Sequence, residues 1–271
     1  MAPRVIESDE EFEGLRAALA RRHPIFGAFV MIPRVEIVEL LGRVGFDAAI
    51  FDLEHGPMEI SDLVELAAAA RGAGVHSVAR MARNDTADIG RALDTGVDGI
   101  LVPHVGTGAA AEHVAAAGRF PPTGHRSLNP FTRGTGYGMD EGTLRDAADR
   151  RVALLAMLEG DEALSSVDEI CASEQLDAAF VGPVDLSASM GVPGQPEHPK
   201  VISAVSDVFA RIRAAGSAAA VYAHTPEAAA RWSAEGATFI ALSADVAMLQ
   251  RGFASFLDAA RDPQRATAEQ V

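Results

Sequence analysis

The stretch Phe51-Asp52-Leu53-Glu54-His55-Gly56-Pro57 decides how this chain is read. It follows the apolar run Ala48-Ala49-Ile50-Phe51 and closes on Gly-Pro. The pattern describes a buried strand whose C-terminal end opens into a turn carrying two carboxylates and an imidazole. Carboxylates beside an apolar strand are costly unless they are paired or bind a cation. A satisfied, hydrogen-bonded turn is the plain alternative, and the stretch alone leaves both open.

Outward from this stretch one unit repeats: apolar strand, polar turn, Ala-rich helix, Gly. Strands are expected at residues 24–31, 48–52, 76–81, 99–105, 152–159, 178–185, 218–223 and 239–243. Near-continuous apolar strands alternating with helices argue for a parallel sheet covered by helices. About eight such units in this length favour an α/β fold of the (β/α)₈ TIM-barrel type over an open doubly wound sheet. No Gly-x-Gly-x-x-Gly follows the first strand, which weakens a dinucleotide-binding reading. A helix is expected from Ser8, with Phe12, Leu15 and Leu19 as its stripe, ending near Arg22. The domain reading is a flexible start at 1–8, one barrel over 9–261 and a frayed tail at 262–271. One connection breaks the rhythm: residues 119–138 are rich in Gly, Pro, Arg and aromatics, as a functional loop is.

Composition narrows the function. The net charge of −15 and pI of about 4.9 disfavour nucleic acid and anionic membranes as partners. The single cysteine, Cys171, rules out an intrachain disulfide and a thiolate metal cluster, and fits a cytoplasmic location. The first nine residues lack a signal-peptide core, and no run of about 18 apolar residues occurs. The single lysine, Lys200, lies in a Gly-Pro-rich stretch, a poor setting for a Schiff-base amine. Carbonyl chemistry in this chain therefore calls for a metal.

In such a barrel the functional groups stand at the C-terminal strand ends. Those ends supply Asp52, Glu54 and His55, then Arg80, His104, Glu159 and Asp185. Glu159 and Asp185 end neighbouring strands, and two carboxylates without thiolate describe a hard-cation site. Each acid could instead cap the helix that follows it. Arg80 suits a substrate carboxylate, or else an internal ion pair with Asp52 or Glu54. His55 is a candidate general base, its tautomer fixed by Asp52. The turns after the last two strands, at His224 and Asp245, are not glycine-rich phosphate cradles, which disfavours a phosphorylated substrate.

From about Gly27 to Phe256 the chain resembles the HpcH/HpaI aldolase family, the metal-dependent pyruvate aldolases of the citrate lyase β-like superfamily. The resemblance rests on Asp52-Leu53-Glu54-His55-Gly56-Pro57, Arg80 with Asn84-Asp85, Gly99-Ile100-Leu101-Val102-Pro103, Phe120-Pro121-Pro122-Thr123-Gly124-His125-Arg126, Glu159, and Val181-Gly182-Pro183-Val184-Asp185-Leu186-Ser187. It implies a divalent ion (Mg²⁺, Mn²⁺ or Co²⁺) on Glu159 and Asp185. It implies Arg80 polarising a 2-oxo acid, and His55 with Asp52 serving proton transfer. Backbone N–H groups near Val184 and Asp185, beside Gly182 and Pro183, are implied to hold the substrate carboxylate. The resemblance also implies a homohexamer, a trimer of dimers with an exchanged C-terminal helix, in which Asp94 reaches a neighbouring subunit's site. Three departures are expected at the barrel mouth: Met157 where Gln is frequent, Ser127 after Arg126 where Gly is usual, and His104 where an apolar residue is frequent. Glu54, Asp94, His104, His125, Arg126 and Asn129 are the candidates for the acceptor side.

The reading is a metal-dependent carbon–carbon lyase that forms or cleaves 4-hydroxy-2-oxo acids, taking a 2-oxo acid and an aldehyde. The alternatives are an oxaloacetate decarboxylase resembling macrophomate synthase, a CoA-ester lyase, which lacks an evident basic groove, and a non-catalytic barrel that binds an oxo acid.

Overall fold

The structure, a computed structural model, describes residues 13–139 and 149–261. Eight parallel strands close into a barrel: β1 (Ile25–Val30), β2 (Ala48–Asp52), β3 (His76–Arg80), β4 (Gly99–Val102), β5 (Ala153–Leu158), β6 (Ala178–Val181), β7 (Ala218–Ala223) and β8 (Phe239–Ala244). Each strand pairs with the next, and β8 pairs with β1. The helices are α1 (Leu15–Ala20), α2 (Val35–Val44), α3 (Leu63–Ala73), α4 (Thr86–Asp94), α5 (Gly108–Gly118), α6 (Asp161–Ser165), α7 (Val167–Cys171), α8 (Pro183–Ser189), α9 (Pro199–Ala214), α10 (Pro226–Ala234) and α11 (Asp245–Arg261). The fold is the expected α/β (β/α)₈ barrel. The expected helix start at Ser8 and Phe12, the loose segment 1–8 and the tail 262–271 lie outside the described residues. Among the described residues no helix is long and apolar enough to cross a membrane.

Strand parity sorts the core into two clusters, because successive side chains point to opposite faces. Ala49, Phe51, Ala79, Leu154, Ala156 and Val221 point outward and pack under the helices. Ile25, Phe29, Ala48, Ile50, Val78, Leu155, Met157, Phe180, Ala220, Phe239 and Ala241 fill the lumen. Leu15 and Leu19 of α1 join that lumen cluster and plug the N-terminal end of the barrel. The same parity continued one step along β2, β3, β7 and β8 places Asp52, Arg80, Tyr222 and Ser243 on the lumen side. The uppermost layer of the barrel therefore changes from apolar to polar, and there the site forms.

The irregular segment after α5 lies at the other end. It leads from a helix C-terminus to the start of β5, so it crosses the N-terminal face. Two tight turns at Arg133–Gly138 back onto the end of α4. A Cβ at Gly134 would stand 2.3 Å from the Leu93 carbonyl oxygen, so only glycine fits that approach.

Candidate active site at the barrel mouth

The turn after β2 is built on the Asp52 carboxylate. Its Oδ1 accepts from the backbone N–H of Glu54 (3.0 Å) and of His55 (3.2 Å). A Cβ at Gly56 would lie 2.3 Å from the Asp52 carbonyl oxygen, so this tight turn needs the glycine seen in the sequence. Register places Asp52 directly beside Arg80 on β3. Arg80 Nε donates to Asp52 Oδ1 at 2.8 Å and Nη2 donates to Oδ2 at 2.5 Å, a two-pronged pair. Asp52 has no exposed surface, and Arg80 keeps 9%. The guanidinium lies 4.7 Å from the Phe29 ring centroid, and its Nη1 faces Glu54 Oε2 at 3.4 Å. Three neighbours thus fix one cation at the edge of a cavity of about 220 Å³, lined also by His55, Met157, Gly182, Val184, Asp185 and Tyr222.

A second cavity of about 240 Å³ adjoins it through Asp185 and holds Glu159. Glu159 directly follows β5 and is 8% exposed. His104 follows β4 with φ +57 and spans two carboxylates. Its Nδ1 stands 2.8 Å from Glu159 Oε2 and its Nε2 stands 3.2 Å from Glu54 Oε1, while its backbone N–H donates to Glu159 Oε2 at 3.1 Å. Burial raises the Glu159 carboxyl above the ordinary glutamate range; the charge and backbone N–H of His104 oppose this, and Glu54 and Asp185 add to it. Asp185 sits in the first turn of α8, and its carboxylate makes no hydrogen bond among the described residues. The helix-terminal position of the capping alternative is thus the one Asp185 takes, without a side-chain cap bond. Among the described residues that line the two cavities or pair with their lining, four carboxylates, Asp52, Glu54, Glu159 and Asp185, stand against one guanidinium, Arg80. Such a surplus of negative charge suits a bound cation. The donors are hard oxygens, two of them turned to one cavity, which fits a divalent ion completed by water and substrate. Among the described residues no group of three or more His, Cys, Asp or Glu side chains is placed to hold a metal ion.

The remaining wall is apolar apart from one phenol. Phe29 packs edge-on against Phe180 at 6.4 Å and against Tyr222 at 5.9 Å. Burial raises the Tyr222 hydroxyl above its ordinary value, with a hydrogen bond to Ser243 opposing the shift. Met31 is pinned from below: Asp245 accepts from its N–H at 3.0 Å and from that of Ile32 at 2.9 Å.

Residues 26–251 match the HpcH/HpaI aldolase/citrate lyase family. The chain belongs to that family. It is 36% identical over 226 residues to the pyruvate aldolase of Rhizobium etli, covering 83% of this chain and 89% of that one. It is 34% identical to the hydroxypyruvate/pyruvate aldolase of Sagittula stellata, covering 87% and 92%. A crystal structure of an HpcH/HpaI family protein from Burkholderia cenocepacia superposes with a TM-score of 0.86 at 30% identity, covering 92% and 99%. Membership in the HpcH/HpaI family makes the chain an enzyme of the lyase class, of aldolase type.

Against that family background, the sequence-derived candidates separate into two groups. Asp52, Glu54, His55, Arg80, His104, Met157, Glu159, Gly182, Pro183, Val184 and Asp185 gather at or beside the mouth. The internal ion pair kept open for Arg80 is the one that forms, and Arg80 still lines the cavity. The expected tautomer-fixing bond from Asp52 to the His55 ring does not occur among the described residues. The Asp52 oxygens are taken by Arg80 and by two backbone N–H groups.

Asp94, His125, Arg126 and Asn129 do not reach this mouth within the chain. Asp94 ends α4, and buried Arg126 donates to it at 2.8 Å while lying 4.5 Å from the Phe120 centroid. The His125 N–H bonds to the Ala116 carbonyl, and the Asn129 side chain caps the Phe131 N–H. Their segment follows a helix, so it lies at the opposite face, and Ser127 goes with it. Four residues lining the first cavity escaped the sequence reading: Phe29, Met31, Tyr222 and Ala244. Lumen parity counted along β1 and β7 finds Phe29 and Tyr222.

Proposed function

We propose that this lyase forms and cleaves 4-hydroxy-2-oxo acids through the enolate of a pyruvate-type acid, with a divalent cation held by Glu159 and Asp185. The observation that carries the reading is the meeting of two cavities at Asp185, one edged by Arg80 and the other by buried Glu159. The names of the relatives in Rhizobium etli and Sagittula stellata support pyruvate-type donors. When bound, the cation supplies Lewis acidity to the carboxylate and 2-oxo oxygens of the substrate.

Arg80 cannot turn away, because Asp52 holds two of its nitrogens and Phe29 supports its face. It thus presents positive charge where the enolate oxygen develops, with little reorganisation. The first-turn N–H groups of Val184 and Asp185 receive the substrate carboxylate, beside Gly182 and Pro183. His55, exposed at the cavity edge and fixed by its backbone bond to Asp52, moves the proton. Met157 adds bulk but no hydrogen-bond donor to the wall.

The oligomer belongs to the same proposal. Phe253, Phe256 and Leu257 of α11 are 69%, 83% and 50% exposed, as a helix exchanged with a second copy in a hexamer would leave them. In that assembly Asp94 and the 125–138 segment face a neighbour's mouth rather than their own.

Deuterium exchange into the methyl group of pyruvate tests the chemistry. Exchange is expected with Mg²⁺, Mn²⁺ or Co²⁺, and its loss is expected in EDTA, in Glu159→Gln and in Asp185→Asn. Full exchange in EDTA, or in both variants, would falsify the metal-dependent reading. Tight oxo-acid binding without exchange in the metal-loaded wild type would point to a binding barrel instead.

A further inference from the structure

We propose that His104 is a positioning residue that ties off one oxygen of Glu159, so that a cation is held through a single Glu159 oxygen and small octahedral ions are preferred over Ca²⁺. This rests on the proposed cation site at Glu159 and Asp185 and adds the residue that sets which ion the site prefers.

The two oxygens of the Glu159 carboxylate are not equivalent. Oε2 accepts from the His104 backbone N–H at 3.1 Å and stands 2.8 Å from the ring Nδ1. Nδ1 carries a proton both in the neutral tautomer that donates to Glu159 and in the imidazolium, so this contact does not depend on the charge of the ring. Two donors thus converge on Oε2 and occupy its lone pairs. Oε1 makes no hydrogen bond among the described residues. It lies 3.8 Å from the place of a Cβ on Gly182, and Gly182 lines the cavity that Arg80 edges. Oε1 and the carboxylate of Asp185, which lines both cavities, therefore remain for a cation.

The His104 ring is placed by its nitrogens and not by packing. Its side chain is 73% exposed, and its Nε2 stands 3.2 Å from Glu54 Oε1, so the ring bridges the turn after β2 and the end of β5. The backbone beneath it is fixed as well. The next N–H, of Val105, donates to the Met157 carbonyl at 3.1 Å. His104 itself takes φ +57, an uncommon conformation for a residue with a Cβ. Such a conformation persists where its surroundings hold it, and here it aims both the N–H and the ring at one oxygen.

Ion size turns this division of oxygens into selectivity. Mg²⁺ and Mn²⁺ are satisfied by about six oxygens in octahedral order, and one oxygen from each carboxylate suits them. Ca²⁺ takes roughly six to eight oxygens at longer range and gains from carboxylates that bind through both. While His104 holds Oε2, Ca²⁺ is denied that second oxygen.

Titration calorimetry of the full chain with Mn²⁺ alone and with Ca²⁺ alone tests this. In His104→Ala, Mn²⁺ affinity is expected to weaken about tenfold as Glu159 loses its orientation. Ca²⁺ affinity is expected not to weaken, since Oε2 is freed, so the ratio of the two Kd values moves about tenfold toward Ca²⁺. His104→Asn puts an amide N–H in the place of Nδ1–H and tolerates a positive φ, so it is expected to keep the ratio within about twofold of wild type. Equal weakening for both ions in H104A, or a shift in H104N as large as in H104A, would overturn the proposal. Electron spin-echo spectra of the Mn²⁺-loaded wild type are expected to show no coordinated ring nitrogen; a coordinated nitrogen would make His104 a ligand and overturn it too. A wild type that binds neither ion would overturn the cation site itself, and this proposal with it.

Discussion

Replacing Asp52 by Ala probes the pair on which the mouth is built. The substitution strips Arg80 of a two-pronged partner in a place where Arg80 is 9% exposed and Asp52 is fully buried. Breaking a buried pair from one side costs about 3–5 kcal/mol, because a buried charge is left uncompensated. Glu54 Oε2 remains 3.4 Å from Nη1 and partly compensates it, so the expectation falls at the lower end, about 3 kcal/mol. Two backbone N–H groups, of Glu54 and His55, also lose their acceptor, which keeps the cost from falling further. For a domain of this size that corresponds to a melting temperature lowered by roughly 6–12 °C. Urea denaturation in EDTA measures it without interference from bound cations. Arg80→Met alone leaves Asp52 buried, but with its two N–H donors in place. The double variant D52A/R80M removes both charges, and its cost is expected to undercut the sum of the singles by about 1.5 kcal/mol or more. A D52A loss below about 1 kcal/mol, or additivity of the two changes within about 0.5 kcal/mol, would show that the pair does not hold the mouth together.

The Glu159 carboxyl has a raised folded-state pKa, so its contribution to stability is full below the unfolded value and is lost as pH rises through the folded value. In EDTA, Glu159→Gln is therefore expected to melt above the wild type at pH 8, with the gap closing toward pH 4; a gap that widens on acidification would contradict the burial argument. Asp245→Ala orphans the N–H groups of Met31 and Ile32 and is expected to cost about 2–3 kcal/mol in urea denaturation, where a change under about 0.5 kcal/mol would deny Asp245 that anchoring role. The thiol of Cys171 is pushed up to about 11 by burial, so alkylation by iodoacetamide at pH 8 is expected to run far slower than for an exposed cysteine, and a comparable rate would show the thiol to be open.

The barrel was legible because a parallel strand buried on both faces spells itself as an unbroken apolar run, and eight of these recur with helices between. Strand ends were less so. The fourth strand was expected to run to residue 105, yet β4 stops at Val102. Pro103 has no N–H to donate, and His104 turns to φ +57 to meet Glu159 with its own N–H. The segment after α5 attracted attention by its arginines and aromatics, and composition says nothing about which end of a barrel it occupies. Chain order does: a connection from helix to strand crosses the N-terminal face, so Arg126 meets Asp94 there and not Arg80. Tyr222 was missed for a different reason. It follows Ala218 and Ala220, and a lumen position is visible only by counting every second residue from a known inward one.

Asp52 shows where a single sequence runs out. Parity says that Asp52 and Arg80 both face the lumen, but not how far along its own strand each one stands. Only the register between β2 and β3, with Asp52 beside Arg80, decides that the carboxylate meets the guanidinium and not the ring of His55. The consequence is chemical. With both Asp52 oxygens committed, the tautomer of His55 is left to solvent and to the substrate, since its ring is exposed. On the proposed aldol reading, Asp52 therefore acts on the reaction through the position of Arg80. Asp52→Asn is expected to lower kcat in pyruvate methyl exchange by weakening that hold, without moving the pH profile of the exchange. A shift of that profile in D52N would mean that the carboxylate does reach the imidazole once substrate is bound.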